Sequence, residues 1–310
     1  MKILITGGAG YLGSTLAGHL LNFHQVTVFD NLMYRQTSLL HLFKEPNFKF
    51  VKGDVRDREK LQALVKEHDV IIPLAAIVGM PACKENPQLA IDVNYQHIVN
   101  VVDVLRDNQR LIIPNTNSQY GSSDQIITEE SPFNPLSLYA QTKCDAEDYV
   151  LKKGNGIVLR LATVFGVSPR MRQDLLVNDF VYKSVVDGYL VLFEAHFKRN
   201  YIHVLDIART FNFMIDNYEN CNGQVFNVGL STANLSKLEL AEKIKEYIPN
   251  LVIKQEEFRE DFDKRNYIVS NEKIESQGWR PLYDLDYGIK QLIEAYPIVV
   301  SHNNRSFTNL

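Results

Sequence analysis

The chain has 310 residues, 45% hydrophobic and 23% charged, with a formal net charge of -4. That composition suits a globular protein with a large core, as one large domain or two smaller ones. No Lys/Arg-rich block appears, so a nucleic-acid partner is not expected, although local basic spots would suit a phosphorylated small molecule. The cysteines, Cys83, Cys144 and Cys221, are odd in number and lack C-x-x-C spacing, so neither a disulfide framework nor a metal site is expected. A strand begins at Lys2, leaving no room for a signal peptide, and no apolar run approaches the roughly 18 residues of a membrane helix. A cytoplasmic protein with no membrane partner is the expectation.

In chain order, apolar β-rich runs are expected as strands at Lys2–Thr6, Gln25–Phe29, Phe48–Val51, Val70–Pro73, Leu111–Pro114 and Ile157–Arg160. Amphipathic stretches at Tyr11–Asn22, Arg58–Glu67, Pro87–Asp107 and Leu136–Lys152 alternate with them as helices. Strands apolar on both faces, joined by helices, point to a doubly wound parallel α/β sheet. After Gly166 the pattern loosens into helices at Leu175–Val186, Leu205–Asn217, Ser236–Tyr247 and Tyr287–Ala295, with short strands between. This divides the chain into a dinucleotide-binding part over 1–165 and a smaller α+β part over 166–310 that completes a cleft, with the chain free to cross back. The polar tail 301–310 is expected to fray.

The first strand runs into Gly7-Gly8-Ala9-Gly10-Tyr11-Leu12-Gly13, a G-x-x-G-x-x-G spacing followed by a helix. Gly7 permits the turn, Gly10 lets a pyrophosphate approach backbone N–H groups, and Gly13 lets helix and strand pack closely. Asp30 lies 17 residues past Gly13 at the end of the second strand. A carboxylate there binds an adenosine 2′-hydroxyl and repels a 2′-phosphate, so NAD is expected rather than NADP. Asp54, after the third strand, suits either an adenine contact or a helix cap.

Tyr139 and Lys143 stand at i and i+4 and so share a helix face. An ammonium beside the phenol would favour the phenolate, which could take a proton from a sugar hydroxyl while hydride leaves the same carbon.

Together, Gly7–Gly13, Asp30, Gly53-Asp54, Leu74-Ala75-Ala76, Asn94 and Tyr139/Lys143 resemble the extended short-chain dehydrogenase/reductase family over essentially the whole chain. The resemblance implies a Rossmann-type fold, bound NAD and a nucleotide-sugar substrate. It implies cofactor contacts along Tyr11-Leu12, Asp30-Asn31, Asp54-Val55 and Leu74–Ala76, with Asp54 on adenine. Lys143 would hold the nicotinamide ribose, and Asn94 would play a mainly structural part beside the cofactor. In Asn115-Thr116-Asn117-Ser118-Gln119-Tyr120-Gly121, Thr116 stands where the family places the hydroxyl that hydrogen-bonds the reacting C4 oxygen. Dehydratases of the family carry Asp-Glu where this chain has Asn117 and Ser118. Loss of water needs an acid and a base, so 4,6-dehydration is disfavoured.

Farther on, Leu159–Gly166 is similar to the family's LR-x-x-N-V-Y-G strand, with Thr163 for Asn. Arg199–Asp206 is similar to R-D-Y-I-H-V-x-D, and Asp263-Lys264-Arg265 and Gly278–Pro281 to its closing elements. By that likeness Arg199 and Arg265 grip the pyrophosphate and Asn178 a substrate phosphate, while His203 packs rather than catalyses. The loop Ile77–Lys84, with Met80, should line the sugar pocket. Cys83 reads as an acid/base or, more often for such a residue, as apolar filler. Arg170 and Arg172 lie in a basic run suited to the nucleotide, to a second phosphate or to solvent.

The Pro73 loop, Asn115–Gly121 and Leu161–Asn178 look like a branch of bacterial surface-polysaccharide enzymes that includes a GDP-heptose 4-dehydrogenase. The expected activity is oxidation at C4 of a nucleotide sugar, as 4-dehydrogenase or as 4-epimerase. Alternatives are a 4,6-dehydratase or reductase, or a non-catalytic NAD-binding regulator. The family also implies a homodimer through helices 87–107 and 136–152.

Overall fold

A computed structural model describes residues 1–256 and 265–300. Asp263, Lys264 and the tail 301–310 lie outside the described residues.

The main sheet is built from β1 (Lys2–Thr6), β2 (Gln25–Asp30), β3 (Phe48–Lys52), β4 (Val70–Pro73) and β5 (Arg110–Thr116). After β6 (Ser122–Ile127), which lies outside the sheet, β7 (Ile157–Leu161) joins it. Then come β8 (Thr163–Phe165), β9 (Tyr189–Phe193), β10 (Lys198–His203) and β11 (Val225–Val228). The seven strands run in the order β11-β7-β5-β4-β1-β2-β3, and every pairing is parallel. The order reverses between β1 and β4, the switch point where such sheets open a crevice at their carboxyl ends.

Alternate residues of β1 serve the two faces. Ile3 and Ile5 join one buried cluster and Leu4 the other. On the first face α1 (Tyr11–Leu20) contributes Leu16, Ala17 and Leu20. On the other face lie α2 (Arg58–Lys66) and, after the short helices α3 (Met80–Glu85) and α4 (Pro87–Ile91), α5 (His97–Val102) and α6 (Leu138–Lys153). Next in the chain, α7 (Leu176–Val186) joins a third cluster beside the sheet. The chain then crosses back: α8 (Val204–Asp216) packs against α1, and β11 adds an edge strand beside β7.

The single helix expected over 87–107 is broken. A wide, π-type turn at Asp92–Gln96 separates α4 from α5. It carries Asn94, whose amide takes the Ile77 N–H at 2.8 Å and donates to the Ile77 carbonyl at 3.0 Å. A widened turn of this kind re-aims one side chain.

The rest of the latter half forms small sheets around the third cluster. β12 (Asn234–Ser236) pairs antiparallel with β10, which runs parallel to β8. β13 (Val252–Glu256) pairs with β9, and β14 (Asn266–Val269) with β6. The remaining helices are α9 (Tyr218–Cys221), α10 (Lys237–Lys245), α11 (Glu272–Ser276) and α12 (Leu285–Val300). Among the described residues, no helix is long and apolar enough to cross a membrane, and no group of three or more His, Cys, Asp or Glu is placed to hold a metal.

Candidate active site

A cleft of about 1150 Å³ opens at the carboxyl ends of β1, β2, β4, β5 and β7, roofed by the segment after β8 and by residues of β10 and β14. Its floor is the β1–α1 turn. Gly7 has φ +67° there, and a Cβ on it would stand 2.6 Å from the Ala75 backbone. A Cβ on Gly13 would meet the Gly8 Cα at 2.5 Å. These contacts are with backbone, which cannot swing aside, so the turn tolerates no side chain at either position. The first turn of α1 has no side-chain cap and no acid. Its N–H groups, with the positive end of the helix dipole, fit a pyrophosphate.

Asp30 is buried at the end of β2, and its two carboxylate oxygens accept the N–H groups of Ala9 at 3.0 Å and Leu32 at 2.7 Å. Burial raises its pKa, and these bonds oppose the rise. Both oxygens keep lone pairs for a ribose diol. Asn31, Leu12, Val55 and the Leu74–Ala76 segment line the same end. Asp54 is tied by Arg56 through two guanidinium bonds at 2.9 Å and by Asn31 at 3.0 Å, and the Arg56 bond holds its carboxyl well below the usual range. These features together fit a dinucleotide.

At the other end β5 delivers Thr116 and α6 delivers Tyr139 and Lys143. Helix α6 starts where Ser137 accepts the Ala140 N–H at 3.2 Å, so Tyr139 falls in its first turn. Burial pushes the Tyr139 phenol up to about 12, opposed by the charges of Arg172 and Arg265 and by the Thr116 hydroxyl. Lys143 also has a partner within the protein. Its Nζ donates to the Pro114 carbonyl at 2.8 Å, because a buried ammonium must find an acceptor and the strand end supplies one. Burial lowers it to about 8, with Glu147 opposing. The Thr116 hydroxyl bonds Ser118 Oγ at 3.0 Å and accepts the Ser118 N–H at 3.1 Å.

Several expected site residues stand elsewhere. Arg265, expected on a pyrophosphate, donates from Nη1 to the Ser118 hydroxyl, beside Thr116. Asn117 is 1% exposed and does not line the cleft, because the short turn at Asn117–Tyr120 carries it inward. Asn178, expected on a phosphate, is fully buried: its amide takes the Gly166 N–H at 3.0 Å and donates to the Arg172 carbonyl at 2.8 Å. It braces the loop that roofs the cleft. Asn94 likewise acts from behind the wall, holding Ile77 and bonding Thr142 at 3.3 Å. Cys83 is buried, its thiol on the Ile77 carbonyl at 3.3 Å and pushed up by burial, which suits filler. His203 packs edge-on to Phe165 and bonds Gln291 at 3.0 Å.

Met80 and Thr163 line the cleft, and Arg199 lines it with its guanidinium 5.7 Å from the Tyr267 ring. Sequence reasoning missed Tyr34. Arg170 stacks over its ring at 4.9 Å, with the Arg170 charge acting on Asp30. The Asp30 turn continues through Leu32 and Arg35, both at positive φ, and nothing in the local sequence marks that path. Arg172 pairs with Asp174 at 2.5 Å at the cleft wall.

Residues 3–229 match the NAD dependent epimerase/dehydratase family. A low-salt glycan biosynthesis protein of Haloferax volcanii is 29% identical over 96% of this chain and 98% of its own length. A putative UDP-glucose 4-epimerase of Methanocaldococcus jannaschii is 28% identical over 98% of this chain and 100% of its own. In fold, the chain is similar to the UDP-glucuronic acid 4-epimerase of Bacillus cereus, with a TM-score of 0.86 at 22% identity, covering 96% of this chain and 100% of that one. With a dinucleotide cradle at one end of the cleft and a Thr-Tyr-Lys set at the other, the chain belongs to the NAD dependent epimerase/dehydratase family, within the extended short-chain dehydrogenases, and is an NAD-dependent enzyme.

Proposed function

We propose that the enzyme oxidises C4 of a nucleotide-activated sugar to a 4-keto species. The observation that carries this reading is the convergence of Thr116, Tyr139 and Lys143 on one cleft with Gly7–Gly13 and Asp30. The turn at Gly7–Gly13 would hold the NAD pyrophosphate, Asp30 its adenosine ribose and Asp54 its adenine. When bound, NAD supplies the hydride acceptor. Thr116 hydrogen-bonds the C4 oxygen, and Tyr139, as its phenolate, takes the hydroxyl proton as the C–H bond breaks and the carbonyl forms. Arg172 and Arg265 assist by lowering the phenol, and Lys143 orients the nicotinamide ribose. Arg199 supplies a guanidinium group for the nucleotide phosphates, and Met80, Thr163 and Ser118, with Arg265 on the Ser118 hydroxyl, line the sugar end.

The names of the Methanocaldococcus and Bacillus relatives support a nucleotide-sugar substrate and reaction at C4, and that of the Haloferax relative supports a place in glycan synthesis. A dehydratase is disfavoured because neither Asn117 nor Ser118 is an acid, and Asn117 does not reach the cleft. The reading includes a cytoplasmic homodimer through 87–107 and 136–152, which sedimentation at micromolar concentration tests.

The enzyme should be incubated with UDP-, GDP-, CDP- and dTDP-sugars, with and without 2-oxoglutarate as an oxidant, and followed by proton NMR. A C4 epimer identifies an epimerase, and a released keto sugar identifies a dehydrogenase. Turnover by Tyr139→Phe at the wild-type rate would overturn the mechanism, and the absence of any C4 product would overturn the reaction.

A further inference from the structure

Beneath the reacting end lies a buried polar cluster that the reaction above leaves unused. Glu147, one turn after Lys143 on α6, is fully buried. Its carboxylate takes Arg160 Nη2 at 2.5 Å and Nε at 3.1 Å, Asn115 Nδ2 at 2.6 Å and Gln119 Nε2 at 3.3 Å. Arg160, buried on β7, spends Nη1 on the Tyr120 hydroxyl at 2.6 Å and the Glu129 carbonyl at 2.9 Å. The pair is neutral and fully hydrogen-bonded. Apolar residues of the same volume would hold this core as well or better, so stability alone does not account for two buried charges.

Asn115 shows what the pair is joined to. The same Nδ2 lies 3.2 Å from the Lys143 carbonyl, and Oδ1 accepts the Thr116 N–H at 3.0 Å. One amide thus links the Glu147 carboxylate, the helix turn of Lys143 and the strand end of Thr116.

We propose that Glu147, with Arg160 and Asn115, is a positioning residue for the reacting end. It fixes α6 against the end of β5 so that Tyr139, Lys143 and Thr116 keep one geometry, and its charge, one helical turn from Lys143, favours the Lys143 ammonium. This deepens the proposed reaction, and its catalytic readout rests on that reading. The groups around Lys143 leave the second task to Glu147. Tyr139 shares α6, the Lys143 charge acts on His97 of α5, an imidazole that burial lowers to about 4, and Arg160 lies beyond Glu147 on β7. The Pro114 carbonyl of β5 accepts its Nζ. Among the described residues, Glu147 is the acid that acts on it, opposing the lowering by burial.

Glu147→Gln keeps the volume and removes the charge, leaving the Arg160 guanidinium without its counter-ion. The expected result is a fall in kcat of about tenfold or more with KM for the nucleotide sugar little changed. The alkaline limb of kcat should move about one pH unit toward neutral, because Lys143 then loses its proton sooner. Carbon-13 NMR of ε-labelled lysine, assigned with Lys143→Arg, should show the same downward shift without substrate. That shift in an enzyme that turns over no nucleotide sugar would uphold the role of Glu147 and sink the proposed reaction alone. An unchanged kcat with an unchanged Lys143 midpoint overturns the proposal. Where Glu147→Gln does not fold, the double variant Glu147→Leu/Arg160→Met decides, since it fills the core without charge. It should melt at or above the wild-type temperature yet keep the depressed kcat and the lowered midpoint. Full activity with a wild-type midpoint in that variant overturns the proposal equally.

Discussion

The Tyr11 hydroxyl donates to the Gly166 carbonyl at 2.6 Å, joining the first turn of the dinucleotide helix to the segment that roofs the cleft. Ser168 Oγ repeats the link by donating to the Tyr11 carbonyl at 2.6 Å, and Thr15 reaches Ser168 at 3.0 Å. The cofactor turn and the roof are thereby fixed to each other through buried hydrogen bonds. Tyr11→Phe should cost about 1 kcal/mol, because the Gly166 carbonyl keeps a weaker donor. That donor is Asn178 Nδ2 at 3.4 Å. Thermal melts of the variant should show a small drop in Tm. A Tm equal to wild type would mean the bond contributes nothing.

Asp30 should set the choice of dinucleotide. Its carboxylate stands in the cleft with both oxygens already taking backbone N–H groups, so it is held rigidly and cannot retreat from a 2′-phosphate. Asp30→Asn keeps one acceptor and removes the charge. Calorimetric titration should then show NAD affinity falling by about tenfold, for a lost charge-assisted bond, and NADP binding improving. Unchanged discrimination between the two would place the ribose elsewhere.

Lys143 should trade stability for activity. A free lysine titrates near 10.5 and this one near 8, as burial disfavours the charged form. Between those values the unfolded chain holds a proton that the native chain has released, so wild-type stability rises with pH across that window. Below it, the full cost of the buried ammonium is present. Lys143→Met removes that cost but strips the Pro114 carbonyl of its donor, so a net gain of about 1–2 kcal/mol is expected near pH 7. The gain should fade as pH rises toward 10.5 while turnover is largely lost. Urea unfolding at several pH values checks this. A variant less stable than wild type at neutral pH would refute it.

What was legible beforehand follows how local each signal is. Gly7–Gly13 and the i, i+4 pair Tyr139/Lys143 could be read because a turn and a helix face are decided within a few residues. Strand β1 falls at Lys2–Thr6 as expected, since its apolar run is short and sharply bounded. The break at Asp92–Gln96 was not legible, because it depends on Asn94 reaching Ile77, 17 residues away. Arg160 was visible only as part of a strand motif, and its pairing with Glu147 is a matter of sheet and helix packing. Asn178 was read by likeness as a phosphate ligand, and only the fold shows its amide spent on the Gly166 and Arg172 backbone. Side chains whose partners are chosen by tertiary packing leave little mark on the sequence around them.

Asn117 gives the sharpest test of the proposal that the site does not eliminate water. The family resemblance places an acid at this position in relatives that eliminate water, which suggests that Asn117→Asp would move the enzyme toward that chemistry. The structure argues the reverse. Asn117 is 1% exposed, does not line the cleft, and neither atom of its amide has a hydrogen-bond partner among the described residues. An aspartate there would be a carboxylate buried without cation or donor, and its pKa would rise. With the native pKa above the unfolded one, the penalty grows as pH climbs past about 4 and reaches several kcal/mol at neutral pH. Urea melts at pH 5 and pH 8 should therefore diverge from wild type increasingly at the higher pH. Proton NMR of the reaction should show no 4-keto-6-deoxy product, because the new acid faces the core. Such a product, or a variant as stable as wild type at pH 8, would show that the turn at Asn117–Tyr120 opens to present residue 117 to the cleft.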